Sequence, residues 1–209
     1  MKFGSTILIN GVTGTLGYAA VAIALGLGAT KILGLGRNQG RMQEIESLSP
    51  VKGRILMRST SSDDGMSLGD WVNSHTGDVG VSQIFDCLGV GGDANSTEIL
   101  VRDCLMAGGT AVFAAGGAEG KVGQEYFDIL NHDKRVFGSN WFSNEDIDEL
   151  IALIGAGVID MSFLEHKEFR LAEINDALQF VGDRPGGSVN VVIKPQAWSE
   201  LCLQRKSRH

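Results

Sequence analysis

Residues 6–17, Thr6-Ile7-Leu8-Ile9-Asn10-Gly11-Val12-Thr13-Gly14-Thr15-Leu16-Gly17, decide how the rest of the chain is read. A short apolar run breaks at Gly11 into a turn with glycines three residues apart. An alanine-rich stretch, 18–27, follows with strong helix formers and a stop at Gly28. In a strand–turn–helix context each glycine of this spacing has a physical use. Gly11 makes the tight turn, Gly14 lets the backbone approach a pyrophosphate, and Gly17 lets helix and strand pack closely. The amides of Gly14, Thr15 and Leu16 then point from the helix start toward an anion, and the helix dipole adds to the attraction. The plainer alternative is a glycine turn with no ligand, because turns use glycine freely.

A second apolar run, 31–35, ends in Gly36-Arg37-Asn38, where the kind of dinucleotide is decided. An acid here would hold a ribose 2′-hydroxyl, whereas a basic residue accommodates a 2′-phosphate. No acid follows until Glu44. Arg37 offers a planar fork suited to phosphate, and Arg41 lies one helical turn on. NADP is therefore expected over NAD, held at this end by Arg37, Asn38 and Arg41; the alternative is a solvated Arg37.

Working outward, strands are expected at 54–57, 83–86, 110–115 and 135–141, and helices at 41–48, 65–75, 95–106 and 144–156, the last capped by Asn144. The segment 126–132 is short. A strand at 168–170, a helix at 171–181, a turn at 184–187 and a strand at 189–193 close the pattern. Strands alternating with helices argue for a parallel sheet built from βαβ units. The expected fold is therefore α/β, a Rossmann-type doubly wound parallel sheet of six strands with a small C-terminal α/β extension. Three strands end in glycines, at Gly11, Gly89 and Gly116, on the side where open α/β sheets bind ligands.

Composition agrees. Glycine makes up 29 of 209 residues, about twice its usual share of ~7%, while proline occurs only 3 times. A net charge of -7 argues against a nucleic-acid binder. The N-terminal apolar run is too short for a signal peptide or a membrane span. Cys87, Cys104 and Cys202 are too scattered for a disulfide framework or a zinc cluster, so a cytoplasmic protein without bound metal is expected.

No catalytic constellation reaches the same level. Cys87 and Cys104 read as buried thiols. His132 beside Asp133 is a conceivable proton-transfer pair, although sequence neighbours usually face apart; His75 and His166 are isolated. Tyr18 and Tyr126 lack a lysine four residues on, which speaks against a short-chain dehydrogenase.

Taken together, GSTILINGVTGTLGYAAVAIALGLGATKILGLGRN (4–38), IFDCLG (84–89), AGGTAVFAAGG (107–117) and FRLAEINDALQFVGDRPGGSVNVVIKP (169–195) resemble the medium-chain dehydrogenase/reductases. That family holds the zinc-type alcohol dehydrogenases and quinone oxidoreductases. The resemblance covers about 4–195, the cofactor-binding and C-terminal part of a member. The family's GroES-like domain, with its zinc ligands and most of the substrate pocket, is expected to have no counterpart here.

The resemblance implies that Gly11, Gly14, Thr15, Leu16 and Gly17 hold the pyrophosphate, and that Arg37 and Arg41 hold the adenosine end. Leu88-Gly89 and Ala115-Gly116 would flank the nicotinamide, with Ser139-Asn140 at its carboxamide. The sixth strand, 136–141, resembles the edge through which such proteins pair into homodimers. The implied organisation is a cofactor domain at 1–160, a remnant of the catalytic domain at 161–195 and a frayed tail at 196–209. The implied activity is an NADP(H)-dependent, zinc-independent oxidoreductase acting on a small carbonyl or alcohol. Two other readings remain: a dinucleotide-binding protein or subunit without turnover, and a repurposed fold catalysing a non-redox step.

Overall fold

The computed structural model describes residues 3–62, 64–116, 118–183 and 187–195. They fall into two compact units divided between Met161 and Ser162. The tail at 196–209, and Arg184 to Gly186 of the expected turn, lie outside the described residues.

In the first unit, β1 (Thr6–Asn10), β2 (Lys31–Gly36), β3 (Ile55–Ser59), β4 (Val81–Asp86), β5 (Leu105–Phe113) and β6 (Arg135–Gly138) form one sheet. Its order is β3-β2-β1-β4-β5-β6 and every pairing is parallel, the Rossmann-type arrangement. The crossovers carry α1 (Thr15–Gly26), α2 (Gln39–Ser47), α3 (Leu68–Thr76), α4 (Ala94–Asp103) and the short α5 (Tyr126–Asn131); α6 (Asn144–Gly155) follows β6. Central strands sandwiched by crossover helices must be apolar on both faces. Accordingly Leu8, Ile9, Ile32, Leu33 and Ile84 are almost wholly buried, and the core joins β1, β2, β4 and β5 to Trp71 and Val72 of α3 and Leu100 and Val101 of α4.

The second unit is a single βαβ: β7 (Glu165–Arg170), a 3-10 turn (Leu171–Glu173), α7 (Ile174–Gly182) and β8 (Val189–Lys194), with β7 and β8 paired in parallel.

Several boundaries differ from those read in sequence. The helix expected to reach residue 106 stops at Asp103 as α4, because the Cys104 carbonyl accepts the Val81 amide at 2.8 Å and Leu105 joins the ladder beside Val81. The register then jumps from Val81–Leu105 to Gln83–Thr110, a bulge turned by Gly108 at φ +73°. The sixth strand ends at Gly138 rather than 141, since Trp141 has φ +71°, which a continuing strand does not allow. Ser143, not Asn144, caps α6: its hydroxyl accepts the Asp146 amide while the Asp146 carboxylate accepts the Ser143 amide. Likewise the helix expected from residue 171 begins with the 3-10 turn and becomes α-helical only at Ile174.

Candidate cofactor crevice

The site begins where β1 and β4, neighbours in the sheet, send their connections in opposite directions, the switch point at which doubly wound sheets open a crevice. On one wall Gly11 turns at φ +83°, and its amide and that of Val12 both donate to the Leu35 carbonyl at 3.0 Å. The Gly14 amide then donates back to the Gly11 carbonyl, and Gly14 becomes the N-cap of α1 with no side-chain cap. The Gly14 carbonyl accepts from Tyr18, so the amides of Thr15, Leu16 and Gly17 have no carbonyl one turn back inside the helix.

The three glycines have separable reasons. A Cβ on Gly17 would stand 2.6 Å from the Gly11 and Val12 carbonyl oxygens, so helix and turn pack only around glycine. A Cβ on Gly14 would meet only the Gly11 oxygen, at 3.4 Å, an ordinary contact. The described packing therefore does not demand glycine at 14. At Gly36 an added Cβ would lie 2.7 Å from the Thr13 methyl carbon, so the Thr13 side chain would have to shift.

The opposite wall rises in steps. Beyond each strand end one more amide joins the ladder: Cys87 donates to the Asn10 carbonyl at 2.8 Å, Ala114 to Asp86 at 3.0 Å and Ser139 to Phe113 at 2.8 Å. Leu88-Gly89, Ala115-Gly116 and Ser139-Asn140 thus leave the same sheet edge from adjacent strands. Added Cβ atoms at Gly89 and Gly116 meet no described atom within 4 Å. Open turns on one wall and unpaired amides on the other fit a dinucleotide lying across the edge.

Beyond the end of β2, Arg37 is exposed and makes no hydrogen bond or ion pair among the described residues. The exposed Asn38 caps α2, its side-chain oxygen accepting the Arg41 amide at 3.0 Å. Arg41 is half-buried. Its carbonyl lies 3.2 Å from the Tyr18 hydroxyl, which donates to Glu44 at 2.8 Å. Burial first, and then that carboxylate, push the Tyr18 phenol up, so it stays a neutral tie between α1 and α2.

Two residues central to the edge were not singled out in sequence. Asp86, the last residue of β4, and Thr97 of α4 are both buried and hydrogen-bonded to each other. Little local marks them, because apart from the Leu88 amide beside Asp86 their partners lie in other elements. The sequence neighbours His132 and Asp133 separate: His132 pairs with Asp128 at 2.8 Å, and Asp133 with Arg135. Both also sit where β6 enters the sheet, away from the carboxyl edge. The Cys87 thiol is pushed up by burial and then by Asp86, and burial raises Cys104 to about 12, so both stay protonated. Among the described residues no three His, Cys, Asp or Glu side chains gather as a metal ion requires. The described residues do not fit a zinc site.

The model of one family, "zinc-binding dehydrogenase", matches residues 15–156. The chain belongs to that family. The match is to the cofactor-binding part of medium-chain zinc-type dehydrogenases. None of the curated proteins compared with the chain matches it. Among solved structures, 2R,3R-butanediol dehydrogenase from Bacillus subtilis is 18% identical with a TM-score of 0.73, over 94% of this chain and 52% of that one. An alcohol dehydrogenase from Thermus sp. ATN1 is 20% identical with a TM-score of 0.71, over 93% and 54%. A chain from Sinorhizobium meliloti 1021 described as a zinc-binding dehydrogenase, solved bound to NADP, is 26% identical with a TM-score of 0.68, over 93% and 53%. The chain spans about half the length of the solved structures it matches. No helix among the described residues is long and apolar enough to cross a membrane.

Proposed function

We propose that this chain binds NADP(H) and serves hydride transfer between that cofactor and a small carbonyl or alcohol, in the cytoplasm. The observation that carries the reading is the end of β2, where Gly36 leads into an exposed, unengaged Arg37 and no acid stands. A guanidinium in that position suits a 2′-phosphate and gives a 2′-hydroxyl no acceptor. The NADP found in the Sinorhizobium meliloti relative supports the choice. When bound, the cofactor supplies the hydride. The chain's own part is to hold the pyrophosphate on the amides of α1, to grip the phosphorylated ribose with Arg37 and Arg41, and to leave the carboxyl edge of β4–β6 free of side chains at Gly89 and Gly116.

The same reading includes a homodimer through β6. Its four residues are all exposed, and it forms the sheet's edge. Val136 and Phe137, with Trp141 and Phe142 just beyond, add apolar surface there. Pairing with a second copy satisfies the edge amides.

Calorimetry with NADPH and NADH tests the cofactor, and NADPH consumption with aldehydes, ketones and quinones tests turnover. Tighter binding of NADPH with consumption supports the reading. Equal affinity for the two cofactors overturns the NADP assignment, and binding without consumption favours a protein that holds the cofactor without turnover.

A further inference from the structure

Hydrogen bonding between β1 and β4 ends with the Cys87 amide on the Asn10 carbonyl, and there the two walls part. Beyond that point one carboxylate bridges them. Asp86 Oδ1 accepts the Leu88 backbone N–H at 2.8 Å. Its Oδ2 accepts Asn10 Nδ2 at 3.2 Å and the Thr97 hydroxyl. Asn10, Asp86 and Thr97 are 2%, 5% and 3% exposed, so water has little access to the Asn10 and Thr97 bonds.

The donors come from three places: the last residue of β1, directly before Gly11; the second residue after β4, directly before Gly89; and α4. Only a carboxylate of this size accepts at both oxygens; an asparagine would turn its amide NH2, a donor, toward one of the donors. We infer that Asp86 is a positioning residue of the crevice, fixing the phosphate turn and the Leu88-Gly89 loop relative to each other so that a whole dinucleotide meets both walls at once. The inference rests on the dinucleotide reading above. It applies to a ligand that spans β1 and β4 and not to one that occupies the β1–β3 side alone.

The test compares NADPH with its adenosine half, adenosine 2′,5′-bisphosphate, by calorimetry on the unmodified chain, Asp86→Asn and Thr97→Val, with Tm measured alongside. For a chain that prefers NADH, the pair is NADH and AMP. Asp86→Asn is expected to weaken the whole cofactor about ten-fold while the half-molecule stays within about two-fold. Thr97→Val, which leaves the Asn10 and Leu88 bonds in place, is expected to show the same selectivity at about two- to three-fold. Equal losses for cofactor and fragment that follow Tm, or no loss for either, overturn the inference. If Asp86→Asn does not fold, Thr97→Val decides by the same criterion. An unmodified chain that binds neither NADPH nor NADH overturns the dinucleotide reading and the inference with it. Binding by the unmodified chain, followed by unselective losses, overturns the inference alone.

Discussion

A Cβ added at Gly17 would press 2.6 Å from backbone oxygens, whereas one added at Gly89, Gly116 or Gly138 meets no described atom within 4 Å. The first position belongs to the β1–β3 half of the sheet and the other three to the β4–β6 half. In the first half the turn, α1 and β2 close on one another, and Leu8 and Ile9 are fully buried. In the second, β6 is exposed along its whole length, and Gly89, Gly116 and Gly138 at the carboxyl edge face open space, although Gly80 and Gly109 farther down are packed against backbone oxygens. The difference separates glycine that the fold itself demands from glycine at which the described residues leave open space.

The largest effect is expected at Gly17→Ala. The clash is with backbone, which cannot swing aside, so the cost should approach the upper part of the 1–3 kcal/mol range for overpacking, about 3 kcal/mol, with loss of cofactor binding. Denaturant unfolding that shows unchanged stability would break the comparison at its root. In the other half, Val136→Pro should turn a dimer into a monomer in light scattering. Because Ser139 donates to Phe113, strand alternation turns the Val136 and Gly138 amides outward, so proline at 136 removes a donor from the free edge and none from the β5 ladder. An unmodified chain that is monomeric at micromolar concentration refutes the pairing.

Next, Arg37→Ala should weaken NADPH about ten-fold and barely touch NADH, as the loss of a charge-assisted contact requires. Equal losses in calorimetry would remove the adenosine end from the first half's duties. Gly89→Ala and Gly116→Ala should change stability by no more than about 0.5 kcal/mol, yet weaken NADPH binding. Should they cost stability as Gly17→Ala does, the open-space argument fails.

The smallest effect concerns pH. Burial first, and then the Lys31 charge, hold the His75 imidazole below its ordinary value. The native state therefore binds this proton less readily than the unfolded chain. Its contribution to stability is complete above about pH 6.5 and declines as pH falls through that value. Urea midpoints at pH 7.5 and 5.5 should differ slightly less in His75→Gln than in the unmodified chain.

Much of the fold was legible because β–α alternation and glycine spacing are short-range signals. Residues 6–17 announce strand, turn and helix, and the structure gives β1, the Gly11 turn and α1 there. Boundaries failed where a local pattern ran past a tertiary decision. The apolar spacing of Leu100, Cys104 and Leu105 continues a helix on paper, but pairing with β4 draws Leu105 into a strand. The glycine turn itself was readable, while Asp86 in its buried cluster was not. Its partner Asn10 lies 76 residues away, and no pattern within a helical turn could join them.

The sequence by itself determined the order of elements, the glycine turn at 11–17 and the absence of an acid after β2, since backbone preference and periodicity act within a few residues. Tertiary structure alone decided which side chains meet: His132 with Asp128, Tyr18 with Glu44, and Asn10, Leu88 and Thr97 around Asp86. It also decided which glycines the fold requires. The physical reason is that those partnerships are fixed by which strands lie side by side. The order β3-β2-β1-β4-β5-β6 brings β1 beside β4 across 76 residues of chain, and only with that order in place do the two walls of the crevice exist.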